Sequence, residues 1–111
     1  VQTLDDVREV LAGVADARLR SLLEVGHFHS AGVPWREALE ALGGRIALVH
    51  VKDQVGRQSV PFGTGEIDLP GLFGELAAAG YEGDFVIEME VPDRPNTLRY
   101  LREARQYVLG L

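Results

Sequence analysis

The stretch "RIALVHVKD", Arg45–Asp53, sets the fold class. From Arg45 to Val51 the chain is mostly apolar and partly β-branched, and the pair Gly43-Gly44 bounds it upstream. So short a run between breakers reads as a buried strand. Its polar residues gather at the far end: His50, then Lys52 and Asp53. Upstream, "VPWREALEALGG" reads as a helix, with Pro34 in its first turn and the glycine pair as its stop. Before that, "LRSLLEV" is a second strand. Thr3 to Val14 is a helix: Thr3 and Asp6 resemble a capping box, and Leu4, Val7, Val10, Leu11 and Val14 recur at helical spacing. Downstream, Gln54 to Ile67 carries glycines, a proline and polar residues and reads as a loop. "DLPGLFGELAAAG" is a helix from Asp68 to its stop at Gly80, "DFVIEMEV" a third strand, and "RPNTLRYLREARQYVLG" a closing helix.

The order α-β-α-β-α-β-α predicts an α/β fold of parallel strands joined by right-handed helical crossovers. The strands are apolar on both faces, as expected when helices cover both. With 111 residues the chain is one domain, 1–111, and 46% hydrophobic content is enough for one core. A net charge of −6 runs against nucleic acid as a partner, which needs a basic surface. The absence of cysteine removes disulfides, thiolate metal sites and cysteine nucleophiles, and fits a cytoplasmic protein. No apolar run reaches the roughly 18 residues of a membrane span.

Each predicted strand ends in an ionisable residue: Glu24, His50, and Glu88 with Glu90. Ligands of parallel α/β proteins bind at these carboxyl ends. Alternation puts Leu22 with Glu24, Leu48 with His50, and Val86 with Glu88. Two carboxylates and an imidazole on one rim suit Mn, Mg, Co or Zn. The other rim residues carry two readings each. His27 and His29 are a ligand pair or polar residues of a loop. Glu90 is a solvated rim charge or a ligand. Lys52 and Asp53 are a surface ion pair or part of the site. Arg57 holds a substrate oxygen or is solvated. Trp35 and Phe62 cover a sugar face or pack.

At these residues the chain resembles a known family. "EVGHFHSAG", "VHVKD", "PFGTGEIDLPGLFGEL" and "GYEGDFVIEME" are similar, in order, to segments of the C-terminal part of the xylose isomerase-like TIM barrels. That group holds sugar isomerases, epimerases and inosose dehydratases, together with endonuclease IV-type repair enzymes. The resemblance covers essentially the whole chain. It implies about three strands and four helices of a (β/α)8 barrel, equivalent to α5-β6-α6-β7-α7-β8-α8. It implies a divalent metal held by Glu24, His50 and Glu88, with Glu88 also the catalytic acid/base. His27 would contact substrate, and Lys52 and Asp53 would be further substrate contacts. His29 has no family role. The implied reaction is isomerisation, epimerisation or dehydration of a sugar, polyol or keto-cyclitol by proton transfer next to a carbonyl.

Two departures stand out. Glu24 replaces the family's usual aspartate and is one methylene longer. The family's fourth ligand, a glutamate on strand five, would precede Val1. The expectation is therefore a piece of a longer protein, a truncation, or a half-barrel that pairs with a missing half or another copy of itself. Alone it would be inactive, or an idle scaffold with inherited rim residues. The nuclease branch carries an Asp-x-His pair after strand seven. Here "QVGRQSVPFGTG" has no histidine.

Overall fold

The structure is a computed structural model that describes residues 3–111. Helix α1 runs Leu4–Gly13, opened by the expected box. Thr3 Oγ1 accepts from Asp6 N at 3.1 Å, and Asp6 Oδ2 accepts from Thr3 N at 3.0 Å. Strand β1 (Ser21–Glu24), helix α3 (Trp35–Leu42), strand β2 (Ile46–Val51), helix α4 (Leu69–Ala78), strand β5 (Phe85–Ile87) and helix α5 (Thr97–Leu109) follow the sequence expectation. The sheet order is β1-β2-β5, all parallel. Leu23 faces Val49 and Glu24 faces His50 across the first pair; His50 faces Val86 across the second.

Three features depart from expectation. "VGHFHS" is not loop but a short helix, α2 (Val25–Ser30). It begins directly after β1 because Val25 and Phe28 both reach the core. The Gln54–Ile67 loop contains a small hairpin, β3 (Gln54–Val55) with β4 (Gln58–Ser59), turned at Gly56 with φ 57°. Strand β5 stops at Ile87 rather than running to Val91. Its neighbour β2 ends at Val51, so Glu88 N to Val51 O, at 2.9 Å, is the last ladder bond available.

The expectation of two covered faces is corrected. Leu23, Val49 and Val51 are fully buried, in one cluster with Trp35, Ala38 and Leu42 of α3 and Leu69, Leu72 and Leu76 of α4. Each fully buried leucine is worth about 1.5–3 kcal/mol of transfer free energy. The opposite face is bare: Leu22 is 38% exposed and Val86 40%. Both crossover helices lie on one side of the sheet. A doubly wound sheet would alternate sides; a barrel wall covers only its outside.

The segment between α1 and β1 has no regular structure. It is held by Arg45, which donates Nη1 to Leu11 O at 2.9 Å, Nη2 to Asp16 O at 3.0 Å, and Nε and Nη2 to Leu19 O at 3.1 and 2.6 Å. Arg45→Ala is expected to cost about 2–3 kcal/mol, since charged donors contribute more than neutral ones. A urea midpoint measurement reads this directly. Arg45→Lys should recover less than half, because an ammonium lacks the planar fork that reaches three carbonyls.

Candidate metal centre

Glu24 is both the last residue of β1 and the N-cap of α2, yet its side chain makes no cap hydrogen bond. The carboxylate is thus left for the sheet rim. His50 lies beside it in register, and Glu88 follows one step beyond the end of β5. His50 Nδ1 sits 3.0 Å from Glu24 Oε2 and 2.7 Å from Glu88 Oε1. One ligand atom from each of the three falls within 4.8 Å of the others, the one such set among the described residues. Each side chain is about a quarter exposed. Oxygen and nitrogen ligands about 2.0–2.2 Å from one ion sit roughly 3 Å from each other, so the spacing of these three groups is compatible with a divalent ion between them. Two carboxylates and one imidazole, without sulfur, suit Mn, Mg, Co or Zn.

The electrostatics separate the two carboxylates. Burial raises the pKa of Glu24, and its hydrogen bond to, and repulsion from, the neighbouring Glu88 raise it further. Burial alone would also raise Glu88, but hydrogen bonds to Glu24 and His50 and the Lys52 charge outweigh it and leave its pKa lowered. Of the two carboxylates, Glu24 is therefore the one that holds a proton more readily. The sign for stability follows. A raised carboxyl stabilises the fold at acid pH, and that contribution is lost as pH rises through the raised value. Glu24→Gln should thus melt higher than the native protein at pH 8 without metal. It should melt lower once Mn is added, because a ligand is gone. Paired melts at pH 5 and pH 8, with and without Mn, test both signs.

Residues 1–109 match the model of the xylose isomerase-like TIM barrel family. The chain belongs to that family. It is 30% identical over 129 aligned residues to an inosose dehydratase of Geobacillus thermodenitrificans, covering 97% of this chain and 43% of that protein. It is 38% identical over 72 residues to the L-ribulose-5-phosphate 3-epimerase UlaE of Salmonella paratyphi A, covering 63% of this chain and 25% of that one. The chain thus spans less than half the length of the relatives it matches. Its backbone superposes on the crystal structure of the IOLI protein with a zinc atom at a TM-score of 0.79 and 22% identity, covering 99% of this chain and 43% of that one. It superposes on L-ribulose 3-epimerase at 0.76 and 18%, covering 97% and 41%.

The other rim residues of this xylose isomerase-like wall separate clearly. Lys52 and Asp53 form no surface ion pair. Lys52 turns to the rim, with Nζ 3.1 Å from Glu90 Oε2 and 3.7 Å from Glu88 Oε2. Glu90 is therefore paired, although its side chain stays 72% exposed. Asp53 turns the opposite way and is fully buried. Its Oδ1 accepts from Gln54 N and Ile67 N, and its Oδ2 from Gly63 N and Gly65 N, at 2.9–3.3 Å. Both oxygens of Asp53, expected as a substrate contact, are thus committed to the loop backbone. His27 is exposed on α2 and lines a cleft of about 400 Å³ with Glu24, Lys52, Arg57 and Glu88. A second cleft of about 400 Å³, near Arg20, Gly44 and Tyr81, holds no metal-ligating set among the described residues.

His29 stands outside the rim cleft. Its Nε2 lies 2.9 Å from Glu66 Oε2, which also accepts from Gly56 N at 3.1 Å. Trp35 is buried, with the Arg36 guanidinium stacked at 4.4 Å, and Phe62 meets Tyr107 edge-on at 6.3 Å. Both pack. Sequence reasoning missed Gln54, which is buried and donates Nε2 to Ser30 Oγ at 2.9 Å and Gly56 O at 3.1 Å. Gly26 was the available signal. A Cβ there would run into Gln54 Oε1 and come within 2.7 Å of Lys52 Cδ, so the glycine marks a close approach.

Proposed function

We propose that this chain is one wall of a metal-dependent sugar isomerase or epimerase, or of a related dehydratase, working by proton transfer next to a carbonyl. The observation that supports this most is the convergence of Glu24, His50 and Glu88 from adjacent strands. Glu24, His50 and Glu88 would hold the divalent ion, which supplies polarisation of a substrate carbonyl and of the charge that develops on it. Glu88 then takes up or returns the proton at the neighbouring carbon. Its lowered pKa keeps it ionised for that task. His27, on the open side of the cleft, orients a substrate oxygen.

Dehydrating an inosose and inverting carbon 3 of a ribulose both begin by removing a proton beside a carbonyl. The names of the relatives therefore favour this reaction class. The substrate is a small sugar, polyol or keto-cyclitol. The wall corresponds to the last three strands of a barrel. Its bare inner face and the open edges of β1 and β5 ask for a cover, either the rest of a barrel or a second copy. Three strands do not close around a substrate, so the chain by itself should show no turnover on ketoses.

The test is a Mn titration of the 111-residue protein by calorimetry and electron paramagnetic resonance. One equivalent should bind, more weakly as pH falls, because the proton on Glu24 competes with the ion. No binding at millimolar Mn, at pH 8, would remove the metal reading and leave the idle scaffold.

A further inference from the structure

We propose that Lys52 is a positioning residue that fixes the orientation of the Glu88 carboxylate at the metal centre. The inference rests on the metal reading above. Glu88 has a cationic or imidazole partner on each oxygen: Oε1 lies 2.7 Å from His50 Nδ1, and Oε2 lies at ion-pair distance, 3.7 Å, from Lys52 Nζ. Oε1 is thus the oxygen on the His50 side and Oε2 the one on the Lys52 side.

A rim lysine ordinarily extends into water. This one is 13% exposed at its side chain. Its stem crosses the backbone of Gly26, where a Cβ would come within 2.7 Å of Lys52 Cδ. The ammonium is held at its far end by Glu90 Oε2 at 3.1 Å. The Glu90 backbone is itself tied down, its N–H donating to Ser59 Oγ at 3.3 Å. Lys52 is thus clamped along its length, from α2 through the hairpin, and Glu90 serves it as an anchor. A lysine held this way can hold something else.

The competing account makes Lys52 a nearby positive charge and no more. The two differ in sign. A bare charge repels a cation, so its removal tightens metal binding. A positioning residue, once removed, lets Glu88 turn and weakens it. Outer partners of ligating carboxylates cost about 10–100-fold in affinity when lost. The variants are Lys52→Met, which keeps the stem over Gly26, and Lys52→Arg, which keeps the charge. Mn affinity and the visible spectrum of bound Co are the readouts, with a thermal melt of each protein. Lys52→Met is expected to weaken Mn about tenfold and to change the Co bands, with Lys52→Arg largely restoring both. Equal or tighter Mn binding by Lys52→Met overturns the proposal. A metal-free cycle of melts with Lys52→Met, Glu88→Gln and the double variant is expected to be non-additive. An additive cycle also overturns it. If the native chain binds no Mn, the metal reading fails, and the metal-free cycle still decides whether Lys52 holds Glu88.

Discussion

Truncating Asp53 to alanine is expected to cost the domain about 3–5 kcal/mol, the range for removing one partner from a buried charged contact. Four backbone N–H groups share this one carboxylate: Gln54, Gly63, Gly65 and Ile67. Each loses a charge-assisted bond, and the Gln54 and Ile67 donors lie buried, away from replacing water. The loop from Gln54 to Ile67 should come free, and with it the hairpin that touches Glu90. Asp53→Asn should fall between, since the amide offers one acceptor oxygen and turns two donors toward N–H groups. Urea unfolding gives the free energy, and amide exchange at Gly63 and Gly65 reports the local release. Gly65→Ala should reproduce part of the loss, because its Cβ would strike the same carboxylate. Normal exchange protection in Asp53→Ala would contradict this account.

His50→Ala is expected to weaken Mn binding by more than about 100-fold, beyond the usual effect of outer partners. His50 is the middle member of the set and is in contact with both carboxylates. Without it Glu24 and Glu88 face one another with no imidazole between them. Their repulsion appears when both ionise, so the metal-free variant should lose more stability at pH 8 than at pH 5, relative to the native protein. Calorimetry and melts at the two pH values check the pair of effects. An unchanged Mn affinity in His50→Ala would remove the three residues as the metal centre.

The elements that depend on nearby residues were legible in the sequence. The Thr3–Asp6 box opens α1, and Asp68 caps α4 by accepting from Gly71 N at 3.0 Å. The convergence of Glu24, His50 and Glu88 at one rim was legible for a similar reason, since each ends an apolar run. The burial of Asp53 went unread although the signal was present. Alternation along a strand puts His50 and Lys52 on one side and Val51 and Asp53 on the other. A carboxylate on the core side needs donors, and the spacing of Gly63 and Gly65 marks the backbone that supplies them. Helix α2 was hidden because six residues are too few for a helical period to show. The bare face was hidden because a strand inside a barrel is as apolar as one under helices. Burial belongs to what the strand is packed against, and the sequence of one strand does not carry it.

The carboxylate of Asp53 takes N–H groups at 54, 63, 65 and 67 and none from 55 to 62. This carboxylate therefore pins the chain at both ends of the hairpin, while the tip is tied separately through Gly56, whose N–H donates to Glu66 Oε2 at 3.1 Å and whose carbonyl accepts from Gln54 Nε2 at 3.1 Å, so the open point is Arg57. Residues added there would lengthen the bridge without moving its abutments. Arg57 on that tip faces the cleft, while Glu24, His50 and Glu88 are set by the strands. Insertion and drift at the tip can thus reshape what the cleft admits and leave the metal ligands where they stand.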